Sequence, residues 1–199
     1  MIVRKKDLEI FLQSVPDFEG PKAELEQYIT PAPIAADLLY RAYFAGDIEG
    51  KRVMDLGCGT GILAIGSALL GADAHGIDVD GRAIAAAERF CAENRINASF
   101  ECMDVSDVRE KFDTVVMNPP FGAQRRHADR KFMERALEIA NVIYHICLKE
   151  TGEFVLNFYR SRDADALAIH DYRLDIKRRF EFHTKDKKGY ETLLIRVVK

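Results

Sequence analysis

Long apolar runs are missing from this chain. No window of about 18 apolar residues occurs, so no membrane-spanning helix is expected. The N-terminal residues Met1-Ile2-Val3-Arg4-Lys5-Lys6-Asp7 offer neither the apolar core nor the small-residue cleavage site of a secretory leader. The expected compartment is therefore the cytoplasm. Cysteine is sparse. The four, at 58, 91, 102 and 147, form no Cys-x-x-Cys pair and no Cys/His cluster at zinc spacing. The expectation is buried, reduced thiols and no metal site. A strong positive balance is also lacking. With a net charge of -3, the whole molecule is not an electrostatic binder of nucleic acid. Internal repeats, low-complexity tracts and an interdomain linker are absent, so 1–199 reads as one domain.

What is present suits a globular protein with a sizeable core: 199 residues, 48% hydrophobic and 31% charged. Positive charge is local. Arg125, Arg126, Arg130 and Lys131 form one cluster, and Lys185, Lys187 and Lys188 lie near the C-terminus. Such runs are commonly solvated surface. Around one site they would instead contact phosphates.

The periodicity predicts a helix near 7–15 and another carrying Ile34, Ala35, Leu38, Leu39 and Ala42. From Arg52 short apolar strands alternate with helices. Strands are expected at 53–56, 74–78, 99–103 and 114–117. A long helix runs from Phe132 to Cys147, and a fifth strand spans 154–158. Leu174, Ile176, Phe180 and Phe182 alternate with polar residues, and Thr192 to Val198 is a continuous apolar run, so a strand pair closes the chain. The expected architecture is α/β: a Rossmann-like, mostly parallel sheet with helices on both faces. Residues 1–45 form a helical cover, 46–160 the core, and 161–199 a helix and hairpin.

Two turns carry the chemistry. Asp55-Leu56-Gly57-Cys58-Gly59-Thr60-Gly61 lies between a strand and a helix, where glycines let backbone approach a ligand. Its Gly-x-Gly-x-Gly spacing departs from the dinucleotide pattern Gly-x-Gly-x-x-Gly. Asp78 ends the second strand, where a carboxylate accepts hydrogen bonds from ribose hydroxyls. Asp104 ends the third, placed to meet an adenine amino group. Either is otherwise a cap for the next helix, and Asp80, a near neighbour of Asp78, is read as such a cap.

The second turn is Asn118-Pro119-Pro120-Phe121, directly after a strand. An exocyclic amine on adenine is a poor nucleophile because its lone pair is delocalised into the ring. The Asn118 side-chain oxygen and the Pro119 carbonyl can accept its two N–H hydrogens. The prolines stiffen the turn, and Phe121 can stack on the ring.

With Leu25-Glu26-Gln27-Tyr28, Thr30 and the late Phe182-His183, these motifs resemble the class I S-adenosylmethionine-dependent methyltransferases. More narrowly, the chain resembles the archaeal and eukaryotic small-subunit ribosomal RNA adenine-N6 enzymes. The resemblance implies a seven-stranded sheet with an antiparallel last strand and S-adenosylmethionine as cofactor. It implies that Gln27 and Thr30 cover the cofactor, that Gly57, Thr60 and Ile62 line its methionine end, and that Asp78, Asp104 and Val105 hold its adenosine. Asp55, Gly59, Gly61 and Asn118 complete that set. RNA is the implied partner, with a small zinc-containing activator subunit in eukaryotic members. Pro31, where those members have Arg, is a departure. Protein glutamine methylation, DNA adenine methylation and a non-catalytic cofactor-binding scaffold are the competing readings.

Overall fold

The computed structural model describes residues 4–121, 129–177 and 187–199, with backbone alone at 175–177 and 187–188. Seven strands form one sheet in the order β3-β2-β1-β4-β5-β7-β6. They are β1 (Arg52–Leu56), β2 (Asp73–Asp78), β3 (Ala98–Cys102), β4 (Phe112–Met117), β5 (Ala140–Leu148), β6 (Asp165–Lys177) and β7 (Lys187–Val198). The first five pair in parallel, whereas β7 lies between β5 and β6 and is antiparallel to both. The strand order reverses at β1, which has β2 on one side and β4 on the other. Ligands of such sheets bind beyond the carboxyl ends at that point.

Two apolar clusters fill the two faces. Helices α1 (Lys5–Leu12), α2 (Ala32–Phe44) and α3 (Ile62–Leu69) contribute Leu8, Leu12, Leu38, Leu39, Leu63 and Ile65 to one. Helices α5 (Arg130–Ile139) and α6 (Gly152–Arg160) contribute Met133, Leu137, Val155 and Tyr159 to the other. Helix α4 (Gly81–Asn94) packs Phe90 and Cys91 into the first cluster and is capped by Asp80, which accepts from Arg82 N–H at 3.3 Å. Among the described residues no helix is long and apolar enough to cross a membrane.

The expected helix from Phe132 to Cys147 is two elements: α5 stops at Ile139 and β5 begins at Ala140. Ile143 and Cys147 fall on the continued helical spacing only because most of β5, buried on both faces, is apolar. The expected strand at 154–158 is the body of α6. Its buried Val155, Phe158 and Tyr159 follow three- and four-residue spacing, which a five-residue window hides. The helix expected within 161–199 is not found among the described residues, and β6 begins earlier than expected, at Asp165. Phe180, Phe182 and the hairpin loop lie outside the described residues. Cys58, Cys91 and Cys147 are buried as expected, but Cys102 is exposed, because β3 is an edge strand.

A buried polar cluster ties the sheet together. Asp47, after α2, accepts from Tyr144 Oη on β5 at 2.7 Å and from Arg196 Nη2 on β7 at 2.9 Å. Its backbone carbonyl accepts from Thr114 Oγ1 on β4 at 2.7 Å. Gly66 sits where α3 presses on α2, and a Cβ there would run into Leu39 Cδ1, a side chain with no solvent exposure. Gly66→Ala gains about 1 kcal/mol in helix propensity. Overpacking costs about 1–3 kcal/mol. The expected outcome is a lower melting temperature; a rise would show that the α2–α3 contact gives way.

Candidate active site

The predicted cofactor and acceptor residues, all among the described ones, converge around the carboxyl ends of β1, β2, β3 and β4. Gly57, Gly59 and Gly61 have φ of 73°, 55° and 90°, a region that disfavours side chains. The N–H groups of Gly57 and Cys58 both donate to Ile77 carbonyl, at 2.9 and 2.8 Å, which sews the turn to β2. Gly59 has a second reason to lack a Cβ. One would lie 2.5 Å from the ring of Phe18, which packs on the turn from the N-terminal segment.

Asp55 lies beneath the turn with 2% exposure. Its Oδ2 accepts from Ala64 N–H at 3.0 Å, anchoring the start of α3. Burial, with the Asp78 charge adding to it against the Ala64 hydrogen bond, pushes its carboxyl up to about 8. Asp78 accepts from Gly59 N–H at 2.9 Å and Asp80 N–H at 2.8 Å, and burial raises its carboxyl too. Asp104 behaves differently. The Lys131 hydrogen bond at 2.8 Å, with Ser106 N–H at 2.9 Å, lowers its carboxyl to about 2.

A strap of residues 16–30 forms the opposite wall. A cleft is lined by Phe18, Gln27 and Tyr28 from the strap and by Asp78, Val105 and Asn118 from the strand ends. A second, smaller hollow adjoins it, reaching Thr30, Thr60 and Ile62. Asn118 lines both. Its Nδ2 donates to Thr30 Oγ1 at 2.9 Å, and its Oδ1 accepts from Tyr28 Oη at 3.0 Å. The Phe121 ring centroid lies 5.9 Å from Tyr28 and 6.2 Å from Tyr190, both tilted. The three rings therefore form one aromatic group, joined to the Asn118 amide through Tyr28.

Gln27 is buried, with both amide ends engaged. Its Nε2 donates to Asp80 Oδ2 at 2.8 Å, and its Oε1 accepts from Lys22 N–H at 2.8 Å. Lys131 lies on the cleft wall bound to Asp104, and Arg130 pairs with Glu134 along α5 at 2.9 Å. Arg125, Arg126 and Lys185 lie outside the described residues, as do the side chains of Lys187 and Lys188. The residues that sequence reasoning missed are Phe18, Lys22, Tyr28, Asp80 and Tyr190. Tyr28 was quoted for the resemblance without a role, and Asp80 was not among the candidates. Nothing in the local pattern marks Phe18, Lys22 or Tyr190.

The geometry fits a nucleoside with a polar tail. The turn is free of Cβ atoms, Asp78 stands at the cleft, and Thr60 Oγ1 is buried with no hydrogen-bond partner among the described residues. A buried hydroxyl without a partner is costly unless a ligand supplies one.

Comparisons with known proteins agree with this geometry. Residues 34–188 match the family model of the methyltransferase small domain. The chain is 36% identical over 200 residues to an rRNA N(6)-adenosine-methyltransferase of Drosophila melanogaster, covering 95% of this chain and 93% of that one. It is 34% identical over 203 residues to the enzyme of the same name from Danio rerio, covering 98% of each. The crystal structure of a candidate RNA methyltransferase from Pyrococcus horikoshii superposes with a TM-score of 0.92 at 39% identity, over 100% of this chain and 99% of that one.

The raised Asp55 carboxyl has a measurable sign. Its proton is held more tightly in the folded chain than in the unfolded one, so stability falls as pH climbs from the ordinary carboxylate range toward about 8. Asp55→Asn keeps an acceptor for Ala64 N–H and removes that titration. Its melting temperature relative to the parent should rise by several degrees between about pH 5 and pH 9. A difference that stays constant or shrinks would contradict the buried-acid description.

Proposed function

This chain belongs to the methyltransferase small-domain family, and we propose that it transfers a methyl group from S-adenosylmethionine to the N6 amino group of an adenine in small-subunit ribosomal RNA. The observation that carries this reading is the Asn118 amide, fixed by Tyr28 and Thr30 where the two hollows meet. Its relatives named as rRNA adenine-N6 enzymes match nearly the whole chain.

The cofactor supplies an electrophilic sulfonium methyl. The rest of the work is binding and alignment by the chain. Gly57, Gly59 and Gly61 admit the methionine end, Thr60 donates to its carboxylate, and Asp55 and Ile62 lie beside it. Asp78 receives the ribose hydroxyls. Asp104 and Val105 border the adenine, and Gln27 and Thr30 belong to the covering strap. On the acceptor side, Asn118 Oδ1 retains a lone pair beyond the Tyr28 hydrogen bond. With the Pro119 carbonyl it takes the two N6 hydrogens, holding the nitrogen pyramidal with its lone pair toward the methyl. Pro120 keeps the turn rigid, and Phe121, with Tyr28 and Tyr190, sets the plane of the base. The nitrogen loses its proton after transfer, so no side-chain base is required. A base within a duplex cannot reach these rings, so the target is unpaired or flipped out.

Arg125, Arg126, Arg130, Lys185, Lys187 and Lys188 serve as phosphate contacts. Lys131 instead stands on the cleft wall, bound to Asp104. We infer a cytoplasmic location and a small zinc-containing activator subunit; full activity of the isolated chain would remove that subunit from the scheme.

Labelled S-adenosylmethionine offered with unmodified ribosomal RNA and with free proteins tests the substrate class. Label is expected in RNA. Label in protein alone would mean glutamine methylation, and none despite cofactor binding would mean a scaffold or a missing activator. Asn118→Ala should lower transfer by about 100-fold or more with cofactor affinity little changed. Tyr28→Phe should lower kcat by about tenfold, the worth of one orienting hydrogen bond, and spare cofactor binding. A fully active Asn118→Ala would remove the acceptor role.

A further inference from the structure

The strap is pinned at three places. Phe18 packs on Gly59, Tyr28 and Thr30 hold Asn118, and the stretch between them converges on Asp80. Asp80 is 5% exposed and lies two residues after Asp78, the carboxylate assigned above to the ribose. Its Oδ1 takes Lys22 Nζ at 3.1 Å, and its Oδ2 takes Gln27 Nε2 at 2.8 Å. Lys22 N–H also donates to Gln27 Oε1, closing a three-membered clasp. Arg82 Nε stands farther away, at 3.9 Å. Between Lys22 and Gln27 the chain makes one helical turn, and Glu26 adopts a left-handed φ of 51°. That conformation is unfavourable for a side-chain-bearing residue and persists where surrounding contacts hold it. Glu24, Leu25, Glu26, Gln27 and Tyr28 all line the large cleft, so the clasped segment is itself a wall of the site.

A buried carboxylate that only capped α4 would need just the Arg82 N–H. Asp80 spends its remaining acceptors on residues more than fifty positions earlier. Burial disfavours its charge, yet the Gln27 and Lys22 hydrogen bonds hold its carboxyl below the ordinary value.

We propose that Asp80 is a positioning residue that anchors the Lys22–Gln27 segment over the bound cofactor, so that cofactor and its demethylated product exchange only when this anchor releases. The proposal rests on the reading of the cleft as the cofactor site. Serine is a good helix cap but is too short to reach the strap, so Asp80→Ser separates the two roles. Lys22→Met removes the ion pair without touching α4. The Lys22 side chain is 35% exposed, so salt weakens its ion pair.

The test loads the full chain with labelled S-adenosylmethionine and chases it with unlabelled cofactor over a salt series. Dissociation should be about tenfold faster in each variant, the loss expected for one charge-assisted hydrogen bond. The parent should release faster as salt rises, and Lys22→Met should lose that dependence, which a purely structural defect would not abolish. Parental release rates in both variants, or an unchanged salt dependence in Lys22→Met, would overturn the clasp. Should Asp80→Ser fail to fold, Lys22→Met decides alone. A parent that binds no S-adenosylmethionine would instead overturn the cofactor reading, and the clasp with it.

Discussion

The hydrogen bonds that hold the Asn118 side chain between Tyr28 and Thr30 are the constraint on which the site depends. They join the end of β4 to a strap near the N-terminus, across 88 and 90 residues of sequence. A lone amide at the end of a strand would sample several rotamers. Held from both sides, and followed by two prolines, it points one way before any substrate arrives. The same strap then forms the far wall of the cleft, so acceptor geometry and cofactor enclosure are built from one segment.

Electrostatics divide the cleft into two regimes. Asp55 is buried and Asp78 half-buried, and desolvation disfavours the charge of both. Such groups favour a ligand that brings donors or positive charge, because binding relieves a cost already present in the free chain. Asp104 and Asp80, the latter directly beside Asp78, are instead held charged by lysines and local N–H donors. They stabilise the walls. Carboxylates of similar appearance in the sequence therefore do opposite work, and the difference lies in their partners.

Much of this was legible in the sequence. The glycine turn, Asp78 and Asn118-Pro119-Pro120-Phe121 are local signals at strand ends, and the alternation of strands and helices placed them on one edge of the sheet. The strap was legible only through family resemblance, since Gln27 and Thr30 look like an ordinary helix entry. The α5–β5 boundary was misread because a strand buried on both faces keeps the apolar frequency of a helix, and α6 because a five-residue window hides three- and four-residue spacing. Asp80 was legible as a cap but not as an anchor. Its contacts with Lys22 and Gln27 follow from the fold, and no short motif carries them.

The measurement that bears most directly on the central claim is the identity of the methylated atom. Ribosomal RNA methylated by the purified chain, with its activator if one is needed, would be digested to nucleosides and analysed by mass spectrometry against standards. An Asn118 turn that presents an exocyclic amine predicts N6-methyladenosine, and none from Asn118→Ala. A methyl group on a ring nitrogen or a ribose oxygen would contradict that geometry.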